Sequence, residues 1–210
     1  MIYFVTEDRY ISPIPRNTYV ENIFREDELL GNALASLGYE HKRVSWRDSS
    51  IDWGRAGWVL IRTTWDYFDY FEEFSHWLGQ LPAKACMNPK ALLSWNTDKH
   101  YLLDLAQKGI PIVPSTIIPR QHPVPLSERV AELGYSHIIV KPTIAGAARL
   151  TYQLKDEQIV AFDRDFTNLN AKEDFILQPF VSSVTSFGEL SLMVMGGKCT
   201  HAVQKRVKVG

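Results

Sequence analysis

The sequence predicts an α/β protein with two lobes, the first built on an open, mostly parallel sheet and the second α+β. In the first lobe, short apolar segments and an amphipathic stretch follow one another as strand, helix, strand, strand, an order typical of parallel sheets. In the second lobe several strand-like segments follow in succession, and Gly196-Gly197 joins the last two as a hairpin. Hydrophobic residues make up 45% of the 210 positions, enough for a sizeable core.

The first lobe begins with an apolar segment at residues 2–5, which predicts a buried strand followed by a polar loop. From about Glu26 to Leu37 apolar residues, Leu29 among them, recur at helical spacing, and Gly38 stands where a C-terminal cap is expected. Residues 41–46 and 58–62 predict the second and third strands.

A second amphipathic helix is predicted at residues 71–78, and a short strand at 85–87 follows it. A domain boundary is expected around residues 88–96. It divides the chain into an N-terminal domain, 1–93, and a second region, 94–210.

The second lobe opens with a helix that Thr97 is expected to cap and Gly109 to close. An extended segment at 110–118 and a short helix at 126–133 follow. The remaining strand-like segments are 137–142, 150–154, 175–180, 189–195 and 198–205. This half is therefore expected to be rich in antiparallel strands.

Composition excludes several classes of protein. The net charge of −1 argues against non-specific nucleic-acid binding. No apolar run reaches the ~20 residues of a membrane-spanning helix, and the acidic start of the chain does not suit a signal peptide, so we expect a cytoplasmic protein without a membrane partner. Cys86 and Cys199 lie far apart in the sequence and are expected to be buried thiols, with no disulfide or metal-ligand spacing.

Lys141 is the first residue that suggests chemistry, because it ends a strand just before a loop of small residues around Gly146. Such a lysine can place its ammonium over a phosphate while loop N–H groups approach the same anion. The ordinary alternative is an edge-strand lysine beside a small-residue turn. Lys99 lies in the expected first turn of a helix, where a cation is mildly unfavourable, and this indicates an anionic partner.

A proline-containing segment at residues 178–181 ends another strand and can expose backbone groups that read an adenine edge. Glu189 starts the next strand with a carboxylate suited to ribose hydroxyls, and Lys205 and Arg206 add positive charge at the end of the hairpin.

Taken in order, these segments resemble the ATP-grasp superfamily, especially its glutathione synthetase-like and cycloserine-biosynthesis cyclo-ligase-like members. The segments that carry the resemblance are 8–9, 62–67, 88–99, 109–114, 140–142, 178–181 and 188–191. The resemblance implies a Rossmann-like pre-ATP-grasp domain followed by an incomplete ATP-grasp domain.

The resemblance also implies roles for individual residues. The nucleotide-binding set it implies is Lys99, Lys141, Gly146, Ala147, Ala148, Gln178, Phe180, Val181 and Glu189. Lys205 and Arg206 are implied as catalytic cations. The substrate set it implies is Arg62, Trp65, Asp66 and Tyr67, which follow a first-lobe strand where open α/β sheets bind ligands. Arg62 and Asp66 are expected to face the cleft between the lobes and not the core, with an ion pair between them that closes the end of the sheet as the alternative.

The implied activity is that of an ATP-dependent carboxylate–amine ligase working through an acyl phosphate, with ATP and a small carboxylate or amino-acid-like substrate as partners. The family's magnesium ligands would lie downstream of residue 210, so no metal ligand is expected here. We therefore expect a C-terminally truncated, nucleotide-binding chain that is inactive alone, has a poorly covered last hairpin, and is a candidate homodimer.

A non-catalytic nucleotide-binding or regulatory module with the same fold is the alternative function. A dinucleotide-dependent enzyme on the first lobe is rejected, because residues 5–9 contain no glycine.

Overall fold

The computed structural model describes residues 1–11 and 17–206, and its elements fall into two units. Unit 1 comprises Met1–Pro111 with Pro142–Leu150, and unit 2 comprises Ile112–Lys141 with Thr151–Gly210. Unit 1 thus extends past the boundary expected between residues 93 and 94. One reason is that the backbone N–H of Lys99 donates to the Thr143 carbonyl at 3.0 Å. The separate roles assigned to 1–93 and 94–210 stay predictions.

Unit 1 is built on a four-stranded parallel sheet in the order β2-β1-β3-β4. Its elements are β1 (Ile2–Thr6), α1 (Thr18–Ser36), β2 (His41–Ser45), β3 (Trp58–Thr63), α2 (Phe71–Gln80), β4 (Cys86–Met87), α3 (Lys90–Asn96) and α4 (Tyr101–Gln107), with 3-10 turns at Asp8–Tyr10 and Trp53–Arg55. All four predicted strands are present. Thr6 pairs with both Ser45 and Thr63, so the carboxyl ends of β1, β2 and β3 meet at one edge of the sheet.

Helix α1 begins earlier than predicted, and the face that it buries against the sheet differs from the predicted one. The Asn17 side chain caps it by accepting a hydrogen bond from the Val20 N–H at 3.0 Å. The predicted apolar stripe is wrong, because Leu29 and Leu37 are 55% and 71% exposed. The buried residues of α1 are Val20, Ile23, Asp27 and Gly31. Burial of a charged residue is possible there because Asp27 is paired with arginines from β2 and β3.

Aromatic side chains fill the core of unit 1. Trp53 and Trp77 meet edge to face with ring centroids 5.4 Å apart, and Trp46 meets Phe74 in the same way. This cluster anchors β2 and α2 on the sheet.

Thr97 does not begin a helix as predicted. It follows α3, and its hydroxyl donates back to the Ser94 carbonyl at 2.8 Å. The Asp98 carboxylate instead accepts the His100 N–H at the start of α4, at 3.1 Å.

Unit 2 contains a second four-stranded sheet, in the order β5-β8-β6-β7, and a two-stranded sheet. Its elements are β5 (Thr116–Ile118), α5 (Leu126–Glu132), β6 (His137–Pro142), β7 (Tyr152–Lys155), α6 (Glu157–Asn170), β8 (Phe175–Pro179), α7 (Ser183–Ser186), β9 (Glu189–Met195) and β10 (Lys198–Lys205). The pairs β5/β8, β6/β7 and β9/β10 are antiparallel, which confirms the predicted fold class. Helix α6 was not predicted.

The hairpin of β9 and β10 turns through Gly196 and Gly197, both in the left-handed region, as the sequence predicts. Leu190, Leu192 and Val194 on β9 are each more than half exposed, so the expected poor coverage of this hairpin is confirmed. Cys199 on β10 is also exposed, and its predicted burial is wrong because every residue of this strand is exposed; Cys86 is buried as expected.

Candidate functional site

The residues expected to bind a nucleotide are divided between the units: Lys99 and the loop at 146–148 belong to unit 1, whereas the rest, Lys141, Gln178, Phe180, Val181 and Glu189, belong to unit 2. Lys141 is on β6 and Gln178 on the adjacent strand β8. Burial lowers the pKa of Lys141, while the negative charge of Glu189 opposes this shift. The fold therefore brings a half-buried lysine under the influence of a carboxylate carried by the hairpin.

Glu189 itself is exposed and pairs across the hairpin with Lys205, whose Nζ lies 3.8 Å from Oε1. Arg206 is also exposed, and its Nη2 donates to the Gln204 side chain at 3.5 Å. Lys205 and Arg206 therefore share the end of the hairpin with Glu189, as their positions in the sequence imply.

Some polar groups of the segment around the end of β8 are already hydrogen-bonded within the protein. The Phe180 N–H donates to the His137 carbonyl at 2.9 Å, and the Phe180 ring stacks on the His137 ring with centroids 4.0 Å apart. Gln178 is buried and its Nε2 donates to the Ser115 hydroxyl at 2.8 Å. The groups suited to an adenine edge are thus the Phe180 carbonyl and the Val181 N–H.

Lys99 holds the loop that follows β6 in place through hydrogen bonds. Its Nζ donates to the carbonyls of Thr143 and Ala145 at 3.1 and 2.9 Å, so at least part of its hydrogen-bonding capacity serves this segment of unit 1. Ala147 and Ala148 have φ values of 49° and 59°, the left-handed region that alanine rarely adopts. A phosphate contact of Lys99 stays a prediction.

Gly146 lies close to an aromatic ring. A Cβ at this position would lie 3.0 Å from Cε1 of Phe68, so that ring would have to move by a few tenths of an ångström to accept a side chain.

A cavity of about 780 Å³ lies in unit 1, at the edge where β1, β2 and β3 end. Three of the predicted substrate residues, Trp65, Asp66 and Tyr67, line it. Its other lining residues are Glu7, Asp8, Arg9, Tyr10, Tyr19, Arg47, Phe68, Asp69, Tyr70, Gly146 and Ala147. The strand-end rule for parallel sheets therefore locates this site well.

Arg62 is not among the residues that line this cavity, and its role towards a substrate stays a prediction. Its guanidinium pairs with Asp27 at 2.7 Å and with Glu26 at 2.6 Å, both on α1. Among the described residues Arg62 therefore forms its ion pairs with α1 and not with Asp66, which was the alternative. Alternation along β3 turns Arg62 towards α1, on the side of the sheet away from the aromatic cluster.

Two functional candidates were missed in the sequence, Glu7 and Arg47. The Glu7 carboxyl is 4% exposed and pairs with Arg9 at 2.5 Å. Burial raises the pKa of Glu7, Arg9 opposes the rise and Asp66 adds to it. Glu7 directly follows β1 and Arg47 lies two positions after β2, so the rule applied to β3 would have found them.

Comparison with known proteins assigns this architecture. Residues 2–88 match the family described as D-cycloserine synthetase DcsG, N-terminal domain. The cycloserine biosynthesis protein DcsG of Streptomyces lavendulae is 28% identical over 183 residues, covering 82% of this chain and 60% of the relative. The crystal structure of D-cycloserine synthetase DcsG superposes with a TM-score of 0.81 and 24% identity, covering 98% of this chain and 67% of that one.

The chain has the ATP-grasp fold. The resemblance predicted from the sequence is confirmed, since a RimK domain ATP-grasp protein from Sphaerobacter thermophilus also superposes, with a TM-score of 0.58 and 18% identity over 86% of this chain and 64% of that one. The chain spans 60% of the length of its curated relative DcsG.

Among the described residues, none of the helices is long and apolar enough to cross a membrane. In the same residues, no three His, Cys, Asp or Glu side chains come together in an arrangement that could hold a metal ion.

The Lys141–Glu189 coupling makes a prediction about pH. In Glu189→Gln the opposing charge is lost while burial remains, so the pKa of Lys141 should fall further below that of an ordinary lysine. When the pH is raised, the Lys141 ammonium of this variant should therefore lose its proton at a lower pH than in the unmodified chain. Titration of the Lys141 Cε resonance by NMR measures this directly, with Glu157→Gln on α6 as the matched control. An unchanged midpoint in Glu189→Gln would contradict the coupling.

Proposed function

We propose that this chain binds ATP in unit 2 and serves an ATP-dependent ligase that joins a carboxylate to an amine through an acyl phosphate. The observation that carries the proposal is that the half-buried ammonium of Lys141 on β6 lies within the electrostatic influence of the exposed Glu189 carboxylate, on a different sheet of the same unit. A nucleotide offers both partners, since its phosphates suit the ammonium and its ribose hydroxyls suit the carboxylate.

The segment after β8 supplies groups for the base. An adenine edge presents an N–H donor beside a nitrogen acceptor, which suits the Phe180 carbonyl and the Val181 N–H. The Phe180 N–H is already donated to His137, and this bond fixes the orientation of the segment. Because the groups are main-chain, recognition would depend on the position of the backbone at this segment.

Positive charge at the end of the hairpin would serve the chemical step. Transfer of the γ-phosphoryl group to a carboxylate oxygen needs positioning and charge stabilisation more than covalent help. Lys205 and Arg206 lie beside Glu189 and would stabilise the charge that develops on the phosphoryl oxygens. An amine then attacks the acyl carbon, and inorganic phosphate leaves.

Magnesium neutralises nucleotide phosphates when it is bound, usually through one or two carboxylates. The described residues do not form a cluster that fits it. The loop after β6 belongs to unit 1, and a phosphate contact by Gly146, Ala147 and Ala148 stays a prediction.

Calorimetric titration of ATP, ADP, GTP and NAD into the 210-residue chain tests the nucleotide part of this proposal. We expect ATP and ADP to bind, with GTP weaker because its base edge reverses the donor and acceptor, and NAD weakest. Equal binding of GTP and ATP, or no binding of either, would overturn the assignment. Sustained ADP release from ATP in the presence of magnesium and amino acids would rule out the non-catalytic module and would contradict the expectation that this chain is inactive alone.

A further inference from the structure

His137, the first residue of β6, contacts the segment that follows the neighbouring strand β8. Its carbonyl accepts the Phe180 N–H at 2.9 Å. The two side chains also stack, with ring centroids 4.0 Å apart and an angle of 19° between the ring planes. His137 therefore holds Phe180 through both the main chain and the side chain.

The His137 ring is in turn held by β7, the strand on the other side of β6. The Gln153 amide on β7 donates to Nε2 of the His137 ring at 2.9 Å. Hydrogen bonding and ring stacking both depend on the direction of the ring plane, so together they restrict rotation of the imidazole. Gln153 thus orients His137, and His137 presents a fixed surface to the Phe180 ring.

The orientation of Phe180 matters because this residue lies in the segment proposed to bind the base. Main-chain groups recognise a base only where they point along its edge, since a hydrogen bond weakens steeply as its angle departs from linearity. The rotamer of a side chain and the torsions of its own backbone are coupled, so a Phe180 ring held by His137 limits the directions open to the Phe180 carbonyl. A segment ordered before binding loses less entropy when the ligand arrives.

We propose that His137 is a positioning residue for base recognition, which holds the segment after β8 in the orientation that favours adenine over guanine. It acts through the Phe180 ring and makes no contact with the nucleotide itself. The proposal rests on the proposed function and deepens it, because it assigns base specificity to a residue outside the nucleotide-binding set that the sequence implies.

Calorimetric titration of ADP and of GDP into the 210-residue chain and its His137→Ala variant gives the primary test. Alanine removes the ring but keeps the main-chain carbonyl that accepts the Phe180 N–H. We expect ADP to bind about 3- to 10-fold more weakly, as for the loss of one aromatic pair, and the preference for ADP over GDP to shrink by a similar factor. A residue that only stabilised the unit would weaken both nucleotides equally.

Two further variants identify the stack as the cause. His137→Phe retains an aromatic ring and should recover most of the affinity and the preference. His122→Ala is the matched control, because this histidine of the same unit accepts the Val124 N–H within its own loop at 3.3 Å and should leave the preference intact.

A double-variant cycle then tests whether His137 acts through Phe180. The stack is already lost in Phe180→Leu, so His137→Ala should have little further effect on ADP affinity in that background. Unchanged ADP affinity in His137→Ala, equal losses for ADP and GDP, or additive losses in the double variant would overturn the positioning role and leave the nucleotide assignment standing. Failure of the unmodified chain to bind ADP would refute the nucleotide assignment and this proposal with it.

Discussion

Replacement of Asp27 by alanine should destabilise unit 1 by about 3 kcal/mol, because two arginines would lose a buried partner. Arg43 and Arg62 are only 16% and 21% exposed, and the Asp27 carboxylate that joins them is 8% exposed. Arg62 would keep Glu26, whereas Arg43 would keep the Tyr10 carbonyl at 3.1 Å and its contact with the Phe24 ring. The free energy of unfolding is measured in urea by tryptophan fluorescence, since all six tryptophans belong to unit 1.

Glu28→Ala is the matched control for this measurement. Glu28 lies on the same helix and pairs with Arg25, but both side chains are more than half exposed. An exposed pair of this kind contributes at most about 0.5 kcal/mol. If the two variants lower the stability equally, the buried ion cluster does not hold α1 on the sheet.

Lys141→Ala should weaken ADP binding about 10- to 100-fold, which corresponds to the loss of one charge-assisted contact of about 1.5–3 kcal/mol. The half-buried position of Lys141 makes this contact stronger than one at the surface, since fewer waters compete for the ammonium. Calorimetric titration of ADP gives the affinity ratio directly.

Lys155→Ala removes the same charge from the same sheet and serves as control. Lys155 is exposed on β7, next to the strand that carries Lys141, and its loss should change ADP affinity little. Equal losses in the two variants would show that Lys141 acts only through the overall charge of the unit.

The sequence predicts the strands of unit 1 well, because each is a short apolar segment between polar turns. It fails at the buried face of α1, where the central residue is Asp27. The arginines that neutralise Asp27 lie 16 and 35 positions away, so local periodicity contains no sign of them. Helix α6 was missed for a different reason. Its buried residues Ile159 and Phe166 recur at helical spacing, so the sequence did contain the periodicity that predicts it.

For the candidate site, position at a strand end was the informative signal. Trp65 and Asp66 follow β3 and line the cavity, and Glu7 and Arg47 follow β1 and β2 in the same way. The position of Arg62 was harder to predict because it lies within β3. There the alternation of side chains between the two faces of the sheet, and not the strand end, decides its neighbours. The bracing of Thr143 and Ala145 by Lys99 depends on a contact across more than forty residues, which no local pattern predicts.

The exposed hairpin has a consequence for the energetics of binding. A two-stranded sheet whose side chains are largely exposed has little local stability, so β9 and β10 should open more readily than the buried strands β6 and β8. Glu189, Lys205 and Arg206 all belong to this hairpin or follow it directly. Part of the binding free energy of any ligand that contacts these residues is therefore used to order the hairpin. Any interaction that orders the hairpin beforehand would raise the affinity without contacting the ligand.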